Sequence, residues 1–515
     1  LFVTIPTTRP TARRRPAIEP TRATRPIPAT LLAVLSILAI VWSLGCQPPA
    51  PAPDEASQPA AVSREATAPD SGQLLVTGGT VVTFDSEGTI LADGAVAVED
   101  GRIVAVGPAG VIAPAYPDAE RIDATGGVVI PGLINAHTHV PMTLFRGLAD
   151  DLQLMDWLQG HIFPAEAEHV DEEFVRVGTR LACLEMLRGG TTTFVDMYYF
   201  EDAIAEETER CGMRGILGET LIDFPAPDHK TWDEAVAGTR RFVERWKGHP
   251  RITPAVAPHA PYTLSDEHLA EAHRLAEELD VPLLIHVAEA PDEIEQVRER
   301  SGLSSIGLLD KLGALDDRMI AAHMVWPTPE EIPLLAERGV GVAHCPQSNM
   351  KLASGTAPVP ALIAAGVAVG IGTDGPASNN DLDLFDEVDT AAKLHKLVSG
   401  DPTVLDAREA LSMATTEGAR ALDLEDEIGS LEVGKRADLV IVSTDSFHQQ
   451  PQPPTPNPYS LLVYATKAAD VRTVMIEGRV VVRDGQVLTL DADEVLRQAR
   501  ALRAELDEAP PPPRD

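Results

Sequence analysis

Eight short apolar runs, each followed by a helical pattern, set the tightest limit on how this chain folds. They end at His139, Asp196, Thr220, His259, Glu289, His323, Pro346 and Asp374. Amphipathic stretches such as Glu172–Arg188 and Asp266–Leu279 separate them. Alternation of this kind lays strands side by side in parallel, and eight of them close into a (β/α)8 barrel. On that fold, groups at the carboxyl ends of the strands gather at one mouth. Residues 131–428 are therefore expected to form a TIM-like (β/α)8 barrel with its His, Glu and Asp residues around one site.

The flanks have a different texture. Residues 73–130 read as short strands, with Glu99, Asp100, Gly101 and Arg102 as a hairpin turn between two Val/Ile/Ala runs. Strand-like runs return at 437–442 and 474–481, within a segment 429–490. Two β-rich pieces around a long α/β middle predict one small β-sandwich built from both chain ends. The remainder, 491–515, is expected to be an amphipathic helix over 492–507 and a proline-rich tail.

The first 46 residues resemble a bacterial lipoprotein signal. Arg9, Arg13, Arg14, Arg15, Arg22 and Arg25 precede an apolar run of 14 residues, 31–44. That run is shorter than the roughly 18–20 residues a spanning helix needs. It ends in Ser43, Leu44, Gly45 and Cys46, with Leu one place nearer the cysteine than the usual pattern has it. The expectation is cleavage before a lipidated Cys46 and a membrane-anchored protein on the periplasmic side, with residues 47–72 as a Pro-rich linker. An ordinary signal peptide releasing a soluble periplasmic protein is the alternative.

Charge narrows the partners. The net charge of −36 argues against nucleic acid and against anionic membrane surfaces. A small-molecule substrate is expected, with membrane contact only through Cys46; the sequence leaves an oligomer open. Cys183, Cys211 and Cys345, an odd and widely spaced set, do not read as a disulfide framework and are expected to be buried single thiols. Cys345 stands beside a strand of the site, which leaves a reactive role as its other reading.

The constellation at the strand ends specifies the chemistry. His137 and His139 are two apart, so on a strand they face one point. His286, in Ile285-His286-Val287-Ala288-Glu289, is a third imidazole, and Asp374 stands between glycines after the eighth run. Three imidazoles and a carboxylate can hold one divalent ion and leave a place for water, whose pKa falls to about 7 on zinc. Glu289 suits the proton shuttle, because Asp374 would be held at the metal. His323 would polarise the attacking oxygen or hold the oxyanion.

Longer motifs surround these residues: His137-Thr138-His139-Val140-Pro141-Met142-Thr143-Leu144-Phe145-Arg146-Gly147, His344-Cys345-Pro346-Gln347-Ser348-Asn349-Met350-Lys351-Leu352, Gly372-Thr373-Asp374-Gly375 with Ser378-Asn379-Asn380, and Gly434-Lys435-Arg436-Ala437-Asp438-Leu439. With them the chain resembles the amidohydrolase superfamily, and within it the 5-methylthioadenosine/S-adenosylhomocysteine deaminase family, from about residue 74 to 481. The resemblance implies hydrolytic deamination of an adenine nucleoside to its inosine analogue. It implies that His137, His139, His286 and Asp374 bind one divalent metal, zinc in preference to ferrous iron. Glu289 would protonate the purine ring, Glu166 would hold the ribose hydroxyls, His259 would touch the substrate and Trp157 would line the pocket.

One departure bears on the substrate. Relatives that accept S-adenosylhomocysteine carry an arginine near the end of the third strand, where this chain reads Gly218-Glu219-Thr220-Leu221-Ile222-Asp223-Phe224. Glu219 and Asp223 are expected to repel an anionic amino acid, with Lys230 the only nearby cation. Leu144, Phe145 and Trp157 are candidates for apolar contact with a methylthio group, or for core packing. The rival activity on the same site is amino- or chlorohydrolysis of guanine, a pterin or a triazine. A non-catalytic binding protein would have lost metal ligands, and here all are present.

Overall fold

The computed structural model describes residues 72–453 and 456–508. The leader, Cys46, the linker up to residue 71 and the tail from 509 lie outside the described residues.

Eight parallel strands form the central sheet in chain order: Leu133–Thr138, Thr191–Tyr198, Arg214–Leu221, Ile252–Pro258, Leu283–Val287, Met319–His323, Gly341–His344 and Ala368–Ile371. The fifth and sixth are buried along their whole length. That is the expected state of strands with side chains on one face and helices on the other. The helices Glu172–Arg188 and Asp266–Leu279 fall where the sequence pattern puts them. Each starts at a capping side chain: Asp171 accepts from the Phe174 N–H and Ser265 from the His268 N–H. Several strands stop short of the residues expected to end them. The last regular residue is Val287 before Glu289 and Ile371 before Asp374. These two acids therefore stand on irregular backbone at the barrel mouth.

The seam between the eighth and first strands closes the barrel. The Asp374 N–H donates to the His137 carbonyl at 3.0 Å. Asn135 reinforces it from the first strand: its Nδ2 donates to Thr373 Oγ1 at 2.8 Å and its Oδ1 accepts from the Thr373 N–H at 3.0 Å. The approach is too close for side chains. A Cβ on Gly372 would lie 2.8 Å from the His137 backbone nitrogen.

Both chain ends build a second, nine-stranded sheet. Gly127–Pro131 is its hinge, pairing parallel to Leu74–Val82 and antiparallel to Leu439–Ser443. The expected sandwich is thus one continuous sheet, curled so that its limbs meet. The Gly101 turn lies against the Glu477-Gly478 turn of the far limb, with Gly101 Cα 3.1 Å from where a Gly478 Cβ would be. Val76, Val96, Ile103, Leu439 and Met475 fill the space between. The hairpin at Glu99 to Arg102 forms as the sequence indicates, with φ of 49° at Asp100 and 76° at Gly101. Pro131 leads directly into the first barrel strand, so the sheet anchors the strand that carries His137. The carboxyl-terminal helix Ala492–Glu508 packs on Glu172–Arg188, with Arg180 Nη1 donating to Gln498 at 2.8 Å. Among the described residues no helix is long and apolar enough to cross a membrane.

Gly372→Ala tests the seam. Forcing a methyl group against the His137 backbone should cost about 1–3 kcal/mol, read as a lower urea midpoint. It should also weaken metal retention, because His137 must move to admit the methyl group.

Candidate active site and metal centre

The barrel brings His137, His139, His286 and Asp374 to one point. The Nε2 atoms of His137 and His139 lie 3.5 and 3.2 Å from Asp374 Oδ1. His286 Nε2 is 3.3 Å from His139 Nε2. Donor atoms of the three imidazoles lie within 4.8 Å of one another. Nearby carbonyls fix the ring orientations. His139 Nδ1 donates to Met197 O at 2.7 Å and His286 Nδ1 to His259 O at 2.6 Å, leaving both Nε2 atoms for an ion. His137 Nε2 is buried without a hydrogen-bond partner. Donor chemistry and this orphaned nitrogen fit a divalent ion.

The electrostatics point the same way. Burial drives His137 down to about 4 and His286 well below its ordinary value. Burial also opposes charge on His139, but the hydrogen bond and charge of Asp374 raise it to about 9. Burial alone would push Asp374 up; the adjacent His137 and His139 imidazoles hold it well below the usual carboxylate range. The cluster thus draws positive charge to its centre, and without an ion one imidazole must carry it. Ser348 and Ser378 each donate to Asp374 Oδ2 at 2.7 Å, and the Gly375 N–H donates to Oδ1 at 2.7 Å.

Glu289 and His323 stand beside this centre, with Glu289 Oε2 3.7 Å from His323 Nε2. His323 Nδ1 donates to Asn349 Oδ1 at 2.9 Å, which turns Nε2 towards the site. Burial, then the charges of Asp374 and Glu293, push the Glu289 carboxyl well up. A raised carboxyl holds a proton to give away. Its loop hangs from Glu293, which accepts from the Ala288 and Glu289 N–H groups at 2.8 and 2.7 Å and from Ser305 Oγ at 2.6 Å. Cys345 is fully buried, and burial pushes its thiol well up, which excludes it as a nucleophile.

A cavity opens above these groups, lined by Trp157, Phe163, Glu166, Tyr199, His259 and Tyr262 besides the metal-centre residues. Glu166 is on the helix Phe163–His169, and burial raises it to about 7. The Tyr199 hydroxyl donates to its Oε2 at 3.4 Å. Burial lowers His259 to about 3, and its Nδ1 meets Thr263 Oγ1 at 3.1 Å. A neutral His259 can donate or accept towards a ligand. Trp157 Nε1 is buried without a partner.

Two expectations need correction, and one open choice is decided. Glu219 does not face this cavity: strand alternation turns Thr220 inward and Glu219 to the outer side of the barrel. Asp223 is engaged by His268 Nδ1 at 2.5 Å and by the Ser265 N–H at 2.6 Å. Leu144 and Phe145 are core residues, with Phe145 packed on Phe174 at 4.8 Å between ring centroids. Among the described residues no arginine or lysine lines the cavity. Asn135, Glu293, Ser348, Asn349 and Ser378 support the site, and sequence reasoning assigned them no role. Three of them lie inside the quoted motifs; Asn135 lies just before one, and Glu293 carries no such mark.

The amidohydrolase family model matches residues 128–481, and an imidazolonepropionase-like composite-domain model matches 94–119. A 5-methylthioadenosine/S-adenosylhomocysteine deaminase from Syntrophobacter fumaroxidans is 50% identical, over 83% of this chain and 97% of its own length. Among solved structures, an adenosine deaminase from Xanthomonas campestris with bound zinc superposes with a TM-score of 0.82 at 44% identity, covering 85% of this chain and 99% of that one. Atrazine chlorohydrolase from Arthrobacter aurescens, complexed with zinc, gives 0.77 at 26% identity, over 84% of this chain and 100% of that one. The match spans barrel, curled sheet and metal centre together, and on it the chain belongs to the amidohydrolase family and, within that, to the 5-methylthioadenosine/S-adenosylhomocysteine deaminases.

Proposed function

We propose that the protein deaminates an adenine nucleoside: substrate and water give the inosine analogue and ammonia. The observation that carries this is one cavity lined by Glu289 and Glu166 together with His139, His286 and Asp374 of the metal centre. His137, His139, His286 and Asp374 would hold a divalent ion, zinc in preference to ferrous iron, which when bound would supply Lewis acidity for activating water near neutral pH. Glu289 gives a proton to the ring nitrogen beside the amino-bearing carbon as the water oxygen adds there. It then takes up the two protons of that oxygen in turn, passing one to the departing amine and keeping the other, so that Glu289 ends protonated as it began. His323, turned by Asn349, orients the water through Nε2. Glu166 offers two acceptor oxygens to the paired ribose hydroxyls, His259 contacts the substrate, and Trp157 closes the apolar wall. The resemblance to atrazine chlorohydrolase is the weaker guide, at 26% identity against 50% for the deaminase.

Glu289→Gln should keep its metal and lose turnover by about 10²–10⁴-fold. His286→Ala should lose most of its metal. Elemental analysis beside an ammonia-release assay separates the two. Near-normal turnover in metal-loaded Glu289→Gln would remove Glu289 from its role.

The cavity lining supports a substrate with an uncharged 5′ group. A carboxylate entering it meets no arginine or lysine, and Glu166 and Glu289 are already there. 5-Methylthioadenosine or adenosine should therefore exceed S-adenosylhomocysteine in kcat/KM by more than about tenfold, the equivalent of roughly 1.4 kcal/mol. Steady-state comparison of the three measures this, and a preference for S-adenosylhomocysteine would refute it.

For location, the reading remains an exported lipoprotein held by Cys46. It rests on the basic leader, the short apolar run and the Gly45-Cys46 step. Cys46→Ser should move the protein from the membrane fraction to the soluble one. A mature amino terminus mapped elsewhere by mass spectrometry would overturn it.

A further inference from the structure

A second cavity lies outside the barrel, behind the third strand, with walls from the helices Glu172–Arg188, Glu201–Cys211 and Trp232–Trp246. Glu219, the residue turned away from the substrate cavity, reaches into it. Asp228 and His229 meet it there from the segment between the third strand and the helix Trp232–Trp246. One donor atom from each of the three lies within 4.8 Å of the other two.

Glu219 is only 4% exposed. Its Oε2 accepts from the Glu201 N–H at 3.1 Å, while its Oε1 is buried with no hydrogen-bond partner. His229 Nε2 stands 3.8 Å from that orphaned oxygen. This is too long for a hydrogen bond. It suits two donors that share one ion, since metal–nitrogen and metal–oxygen bonds are each about 2.0–2.2 Å. Backbone groups hold Asp228 in place: the Phe200 N–H donates to Oδ2 at 2.9 Å and the His229 N–H to Oδ1 at 2.8 Å. Gly238 makes room for the imidazole. A Cβ there would lie 2.3 Å from His229 Nε2.

The charges also lack a partner. Glu172, Asp202, Glu206, Glu219 and Asp228 face this cavity against Arg176, Arg241 and Arg245. Arg176 is committed to Glu172 and Glu206, and Arg245 to Asp202 and Glu206. Among the described residues no guanidinium bridges to Glu219 or Asp228. Burial and the adjacent Asp228 push the Glu219 carboxyl well up.

We propose that Glu219, Asp228 and His229 form a second binding site for a divalent transition-metal ion, separate from the catalytic centre. One imidazole nitrogen with two carboxylates suits zinc or manganese better than calcium or magnesium. Three protein ligands leave room for water, and the cavity supplies it. The role is structural. The ion ties the third strand to residues 222–231, and Phe224 of that segment packs on Phe163 of the substrate cavity at 5.1 Å between ring centroids.

Zinc alone is the probe. The full chain is stripped with a chelator, reloaded, dialysed and analysed for metal. Wild type should hold two ions per chain; His229→Ala and Asp228→Asn should hold one and keep their deaminase metal. His286→Ala isolates the new site: zinc should still raise its Tm, and should not do so in His286→Ala/His229→Ala. That background separates failure of this site from failure of the catalytic centre. One ion per chain in saturated wild type would overturn the proposal. Two ions in His229→Ala, or zinc stabilising the double variant as it does His286→Ala, would overturn it as well.

Discussion

Closure of the barrel between its eighth and first strands is the constraint on which the rest depends. The Asp374 N–H bonds to the His137 carbonyl, so the segments carrying a carboxylate and an imidazole of the candidate site are joined by the hydrogen bond that shuts the barrel. Fold and metal centre are therefore one arrangement. Asn135 shows the same economy one step deeper. It satisfies two buried polar groups of Thr373, which would cost about 1–3 kcal/mol each if left bare. The curled sheet adds a second fixed point, because Pro131 feeds the first strand and Gly132 donates to the Asp438 carbonyl at 2.9 Å. A shift in that sheet would be felt at His137.

Strain at the mouth has a local explanation. Ala288, His323, Met324 and Asp374 all take positive φ, between 46° and 74°. Such conformations cost of order 1–3 kcal/mol each and persist only where neighbours over-determine them. Here the neighbours are identifiable: Glu293 holds the amides of Ala288 and Glu289, Asn349 holds His323, and Ser348 and Ser378 hold Asp374. Each side chain points inward because the backbone turns sharply where a strand ends. That turn is also why the regular strands stop before Glu289 and Asp374.

The sequence was most readable where a periodic pattern carried the signal. Strand alternation fixed which histidines share a face, and helical spacing located Glu172–Arg188 and Asp266–Leu279 to the residue. It was least readable where two distant segments meet. Cys183 and Cys211 are 28 residues apart, yet their Sγ atoms lie 2.7 Å from each other, because consecutive helices on the barrel exterior pack side by side. Glu219 failed for another reason. Its position near the end of the third strand was right, but its face was not, since a shift of one residue reverses inside and outside. Glu293 was invisible: a glutamate in a helical first turn resembles any surface acid until Ser305 and two amides are found around it.

The buried carboxyl groups divide the labour through their surroundings. Burial would raise all of them, so the differences come from what stands nearby. Asp374 has imidazoles beside it and two hydroxyls donating to it, and its carboxyl is held well below the usual range. Glu289 has like charges near it instead, and its carboxyl is pushed well up, as a proton donor requires. Glu166 sits between, at about 7, with tyrosine hydroxyls beside it. A ligand bringing its own hydroxyl donors would favour the ionised form of Glu166, whereas a ligand bringing a carboxylate would disfavour it. On the proposed function, one acid would then favour a ligand with paired hydroxyls and disfavour one with a carboxylate.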